Sequence, residues 1–247
     1  MQVTIPSRPP DLRMLARTAL AGLEYLGINP PAMEPEHRLM PQLVKQGDTA
    51  LDIGANVGAY TCQFSRLVGP SGRVVAFEAY PPTFSHLSAL ARFLALSNVT
   101  LRNVAITDSR RTVRFASARP AFGGTMHGFV HETTVWSPQD RQVEGRTLDE
   151  EVEEIGLRKV NLIKCDIEGG EAAMINGGQN TLQRHRPIVV CEIEERWTGR
   201  YGQHRSEVID HLRELGRYEV FSTAQGRLIP LAEDLSSGNN VVFLPRP

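Results

Sequence analysis

The stretch Thr49-Ala-Leu-Asp-Ile-Gly54, continued by Ala-Asn-Val-Gly58 and then AYTCQFSRLV (59–68), decides the fold. A short apolar run ends on a carboxylate and a glycine, and a helical pattern starts at once and stops at Gly69-Pro70. That is one strand–turn–helix unit, and the texture repeats outward. RVVAFEA (73–79) reads as a strand, and Pro81-Pro82 opens a helix through Ser97, since proline fits a first helical turn. TLRNVAI (100–106) reads as one further strand and RTVRFAS (111–117) as an extra one. A helix is expected near Leu148–Gly156. NLIKCDI (161–167), one helix over Gly170–His185 and PIVVCEI (187–193) follow, then a helix over Ser206–Leu215. YEVFST (218–223), a turn at Gln225-Gly226 and NNVVFLP (239–245) close the chain. Near-continuous apolar strands alternating with helices specify an α/β fold, a mostly parallel sheet covered on both faces. The last two strands lack an intervening helix, so they are expected to pair antiparallel at one edge. Upstream, Asp11–Gly27 has helical apolar spacing, Asn29–Pro35 is broken by prolines, a short helix is expected near Glu36–Lys45, and residues 1–10 read as a loose arm.

The 247 residues are 41% hydrophobic and 22% charged, enough for one large domain with a core of its own. A net charge of −1 argues against a surface-wide basic field for nucleic acid. Lys and Arg total 27, yet only Lys45, Lys159 and Lys164 are lysines, a skew that base composition of the genome explains without function. Cys62, Cys165 and Cys191 form no CxxC and have no His at zinc spacing. No apolar run reaches signal-peptide length, and none approaches the roughly 18 residues of a membrane span. A cytoplasmic protein that neither enters membranes nor binds nucleic acid is expected.

In such sheets ligands sit beyond the carboxyl ends of the strands. Those ends carry Asp52–Tyr60, Glu78, Asn103–Ala105, Asp166–Glu171 and Glu192–Glu194. A dinucleotide loop would need Gly-x-Gly-x-x-Gly to bare its amides to a pyrophosphate. Here the spacing is Gly54-x-x-x-Gly58 and Asp52 adds negative charge, which repels phosphate but attracts an ammonium or sulfonium. S-adenosylmethionine carries both. Glu78 can accept two hydrogen bonds from ribose hydroxyls.

With these residues in hand, the chain resembles the FkbM family of class I, S-adenosylmethionine-dependent methyltransferases. The resemblance is carried by DIGANVGAYT (52–61), RVVAFEAYPPTF (73–84), NVAITD (103–108), GRTLDEEV (145–152), NLIKCDIEGGEAAMINGG (161–178) and HRPIVVCEIE (185–194). It implies a Rossmann-like, seven-stranded sheet over residues 47–247, which leaves residues 1–46 as a helical extension, expected to be a lid or a dimer element. It also implies O-methylation of a sugar or natural-product hydroxyl, a small-molecule acceptor. Carried over residue by residue, it makes Asp52, Gly54, Asn56 and Gly58, with Tyr60 and Thr61 beside them, the methionine-side loop. Glu78 would hold the ribose, Asn103 and Ala105 would flank the adenine, and Asp166 and Glu168 would face the transfer cleft. Two departures stand out. Ala79-Tyr80 follow Glu78 where the family more often has proline and a polar residue, and Ile193-Glu194 follow Glu192 where a histidine is common.

An alcohol needs a general base, and the candidates are Glu168, Asp166, His127 and His131. Glu168 is preferred by position. The loop FGGTMHGFVHE (122–132) has glycines that would let it close over an acceptor. Trp136, Trp197, Tyr201 and His204 are candidate acceptor contacts. Mg2+ would suit Asp166 with Glu192 or Glu194, but strand-end carboxylates more often bind an ammonium or cap a helix, so no metal site is assigned. Glu171 reads equally as a first-turn acid of its helix or a site residue. The rivals are a nucleic-acid or N-directed methyltransferase, which lacks its expected (Asp/Asn)-Pro-Pro-aromatic turn after the fourth strand, and a donor-binding module without catalysis.

Overall fold

The computed structural model describes residues 12–28, 35–115, 141–199, 202–224, 226–231 and 238–246. Helix α1 (Leu12–Tyr25), one 3-10 turn (Pro35–Arg38) and the short α2 (Met40–Leu43) precede β1 (Thr49–Ile53), α3 (Ala59–Val68) and β2 (Arg73–Phe77). Then come α4 (Pro81–Phe93), β3 (Val99–Arg102), β4 (Ala105–Thr107), β5 (Arg111–Phe115), β6 (Arg141–Thr147) and α5 (Leu148–Ile155). The second half runs β7 (Leu162–Cys165), α6 (Glu171–Gly177), α7 (Gln179–His185), β8 (Ile188–Glu192), α8 (Glu195–Thr198), α9 (Arg205–Gly216), β9 (Tyr218–Ala224), β10 (Arg227–Pro230) and β11 (Asn240–Pro245).

The main sheet has the order β10-β9-β11-β8-β7-β1-β2-β3. From β3 across to β8 neighbouring strands are parallel, and β11, β9 and β10 add on antiparallel. Alternation along β1 feeds both faces. Leu51 and Ile53 join Val75, Phe77, Ile163 and Cys165 in one core, with side chains of α5, α6, α7 and α9. Ala50 joins Val74, Leu162 and Val190 in the other, closed by Met40, Tyr60 and Phe64. The burial of both faces is why these strands read as continuous apolar runs.

Four expectations need correction. The sheet has eight strands rather than seven, because the chain turns back at Gly226 to form the edge strand β10, and β11 inserts between β8 and β9. TLRNVAI splits into β3 and β4, and β4 leaves the main sheet to pair with β6 in a three-stranded sheet, β4-β6-β5. The break is fixed by Asn103, whose side-chain amide donates to the carbonyls of Glu78 (2.7 Å) and Ala79 (2.9 Å). β6 itself escapes the sequence reading because RQVEGRT exposes polar residues over its first half. The single helix over 170–185 is two, α6 and α7, meeting at Gly177-Gly178. A Cβ on Gly177 would lie 2.1 Å from the Thr107 carbonyl oxygen, so the β4 backbone is pressed against this junction.

The two sheets are riveted by ions. Glu151 of α5 is fully buried and takes hydrogen bonds from Arg102 of β3 at 2.7 and 2.9 Å, and it pairs with Arg146 of β6 at 3.1 Å. Removing one member of such a network strands the remaining charges. Glu151→Ala should therefore lose roughly 3 kcal/mol of unfolding free energy in urea titration. A midpoint unchanged from wild type would show the network to be incidental.

Candidate functional site

The β1–α3 turn is shaped by close approach. Gly54 has φ +84°, and a Cβ there would lie 1.9 Å from the carbonyl oxygen of Asp166, so only glycine lets the ends of β1 and β7 touch. Asn56 is also left-handed (φ +50°), a conformation asparagine tolerates better than most residues, and its N–H donates to Glu78 Oε2 at 2.9 Å. The other Glu78 oxygen accepts the Tyr80 N–H at 2.8 Å. Two backbone amides thus aim one carboxylate at the mouth of the turn. Burial dominates its proton affinity and pushes the Glu78 carboxyl up to about 7, against the pull of those amides.

Asp52, one strand over from Glu78, is 1% exposed and accepts the Thr61 hydroxyl at 2.5 Å. Burial raises its carboxyl to about 6, while Thr61 and then Lys164 pull it down. Lys164 is the register neighbour of Asp52 on β7, equally buried, with Nζ 3.6 Å from Asp166 Oδ2 and 5.0 Å from the Tyr60 ring centroid. His37 stacks on Tyr60 with centroids 3.8 Å apart, and burial followed by Lys164 lowers its pKa to about 4, so the ring is neutral. Buried Asp52 and Lys164 and the part-exposed Asp166 alternate negative, positive, negative, so the floor is not the purely acidic surface that a carboxylate count suggests.

Two chambers open from this floor and share Gly54, Asn56 and Asp166. The first lies between Glu78, the apolar wall Val104–Ile106, Phe115 and Glu168. The second is walled by Tyr60, His37 and, from α1, Arg17 and Leu20. The two chambers meet at Asp166.

The expected residues divide by role. Gly54, Asn56, Glu78, Ala105, Asp166 and Glu168 line the first chamber, and Tyr60 lines the second. Asp52 and Thr61 lie beneath and bond each other, Gly58 caps α3, and the Asn103 side chain serves the β2–α4 turn. His204 pairs with Glu195 at 2.9 Å, Arg196 stacks on the buried Trp197 ring and also bonds Glu194, and neither Trp197 nor His204 lines a chamber. Among the described residues no group of three or more His, Cys, Asp or Glu side chains is placed to hold a metal. His127, His131, Trp136 and Tyr201 lie outside the described residues. Lys164 was legible, as the one charge inside the buried run NLIKC. Arg17 and His37 had no local signal, because packing of the N-terminal segment onto α3 brings them in.

A family model described as "Methyltransferase FkbM domain" matches residues 52–218. Among curated proteins, the chain is 28% identical over 154 residues to the hexuronic acid methyltransferase AglP of Haloferax volcanii, covering 62% of this chain and 59% of that one. It is 28% identical over 167 residues to the 2-O-methyltransferase NoeI of Sinorhizobium fredii, covering 62% and 66%. The alignments thus span about three fifths to two thirds of those relatives. Among solved structures, an FkbM methyltransferase from Methylobacillus flagellatus superposes with TM-score 0.52 at 12% identity, covering 94% of this chain and 59% of that one. An O-methyltransferase from Bacillus cereus in complex with SAH gives 0.50 at 14%, covering 96% and 92%. At those identities the likeness is one of fold, the class I methyltransferase fold.

Because Asp52 and Glu78 ionise in the fold only near pH 6 and 7 but near pH 4 when unfolded, the ligand-free fold loses stability progressively as pH climbs from about 4 to about 7. A ligand that needs the ionised forms binds best above it. Affinity for S-adenosylhomocysteine, with its ammonium and ribose, should fall about tenfold as pH drops from about 8 to about 5.5. Glu78→Gln should flatten the upper part of that profile. A pH-independent affinity would contradict the assignment.

Proposed function

This chain belongs to the FkbM methyltransferase family, and we propose that it moves a methyl group from S-adenosylmethionine to a hydroxyl of a sugar-like small molecule. The observation that carries the reading is the Glu78 carboxylate, aimed by the Asn56 and Tyr80 amides between the Gly54 turn and an apolar wall. That set fits a nucleoside: the carboxylate takes the ribose diol, and Val104, Ala105, Ile106 and Phe115 take the flat base. Asp166, whose side chain is 29% exposed, stands where the two chambers meet and can face an ammonium. When bound, the donor supplies a methyl group made electrophilic by its sulfonium.

The residues around that point do the rest. Lys164 holds Asp166 from below, and Asp52, held by Thr61, is the register neighbour of Lys164. Glu168 takes the acceptor's hydroxyl proton as the oxygen–methyl bond forms and the sulfur–methyl bond breaks, leaving a neutral sulfide. Alignment supplies much of the rate, and a positioned base roughly 10²- to 10⁴-fold. The acceptor enters by the second chamber, where Tyr60 and neutral His37 offer a flat wall and Arg17 a cation at the rim. Sugar acceptors are favoured because one relative acts on hexuronic acid and another is a 2-O-methyltransferase. On this reading residues 47–247 are the methyltransferase domain, and residues 1–46 are an extension that roofs the acceptor chamber, since Arg17, Leu20 and His37 line it.

The test is incubation with S-adenosylmethionine and a panel of free and glycosidic hexoses and hexuronic acids, read by mass spectrometry for a methyl ether. Methylation confined to hydroxyl-bearing sugars is expected, and turnover only on amines or nucleic acid would overturn the reading. Glu168→Gln should lower kcat about 10²-fold or more with S-adenosylhomocysteine affinity within about threefold of wild type. Normal turnover in that variant, with loss in His127→Ala, would move the base to His127. Turnover is expected to survive EDTA; activity lost to EDTA and restored by magnesium would contradict a metal-free mechanism.

A further inference from the structure

Glu171 is not in the cleft, yet besides its own amide its carboxylate bonds the segment that is. It is the first residue of α6, 1% exposed, and lines neither chamber. Its Oε1 accepts the N–H of Ile167 at 3.3 Å and of Gly169 at 3.2 Å, the two amides on either side of Glu168. Glu168 itself is left-handed (φ +49°), as is Gly169 (φ +104°), and the turn closes through Gly170 N–H to the Ile167 carbonyl at 3.3 Å. A left-handed non-glycine is strained and persists only where its surroundings hold it. An acid serving the helix dipole alone could stay in solvent. This one is buried, its carboxyl is pushed up to about 7 by that burial, and its Oε2 has no hydrogen-bond partner among the described residues. Burying a carboxylate with one oxygen unsatisfied is costly, and the bonds it makes there are the ones that straddle Glu168.

We infer that Glu171 is a positioning residue, a carboxylate clip across the Ile167 and Gly169 amides that holds Glu168 in its left-handed conformation with its carboxylate toward the reacting oxygen. It touches neither donor nor acceptor. The inference rests on the reading of Glu168 as the base, and its consequences are separable from that reading. With the clip removed, Glu168 relaxes toward ordinary backbone angles and the base moves away from the hydroxyl, a displacement of the kind that can cost about 10²-fold in rate.

The test compares Glu171→Met, which keeps the volume and removes both acceptors, with Glu171→Gln, which keeps one acceptor oxygen. Amide hydrogen exchange is read at residues 167 and 169, alongside kcat, acceptor KM and S-adenosylhomocysteine affinity. Glu171→Met is expected to lose exchange protection at both amides and to lower kcat about 10- to 100-fold, with donor affinity within about threefold, while Glu171→Gln recovers most of both. In a Glu168→Gln background, Glu171→Met should add less than about twofold, since two residues acting on one step are not additive. Unchanged exchange, or the same loss of kcat with and without Glu168, would overturn the clip. If Glu171→Met does not fold, Glu171→Gln decides alone: retained protection at both amides supports the clip, and lost protection with full turnover overturns it. A Glu168→Gln enzyme with normal turnover would instead refute the base assignment, and amide exchange at residues 167 and 169 would then decide the clip by itself.

Discussion

The contact on which the site depends is the one between the backbone of Gly54 and the carbonyl of Asp166, where no side chain fits. It lets the turns after β1 and β7 lie against each other at the middle of the sheet. From that contact the Asn56 amide reaches Glu78 on one side, and the Asp166–Gly170 turn swings into the cleft on the other. The two chambers exist because these turns meet and then diverge. A bulkier residue at position 54 would push the strands' ends apart and separate Glu78 from the Asp166–Gly170 turn.

Electrostatics follows from the same crowding. Asp52, Lys164 and Asp166 are brought together by strand register, and burial would make Asp52 or Lys164 costly alone. Lys164 offsets Asp52 beneath the cleft and pairs with Asp166 at its edge, while Glu78 and Glu168 add carboxylates to the lining. The raised proton affinities of Asp52 and Glu78 mark groups held at a cost, a pattern common where a ligand supplies the missing charge.

The parallel sheet and most strand ends were legible because β1, β2, β7 and β8 are buried on both faces and so read as unbroken apolar runs. What escaped was set by tertiary contact. The break at Asn103 depends on carbonyls of the β2–α4 turn, the split of α6 from α7 on the Thr107 backbone, and β6 on pairing that masks a polar strand. At the site, the glycine and carboxylate motifs announced the first chamber. The second chamber was not legible, since Arg17 and His37 arrive from a segment whose packing on α3 leaves no periodic trace. Glu171 stood in the sequence as an ambiguous acid, and only its bonds to the amides flanking Glu168 distinguish a clip from a helix-end charge.

The most direct measurement is titration calorimetry of the whole chain with S-adenosylhomocysteine and, separately, with NAD. Saturable binding of S-adenosylhomocysteine and no heat with NAD is the expected result. The absence of heat with S-adenosylhomocysteine, or saturable binding of NAD, would contradict the assignment of the cleft to a methyl donor.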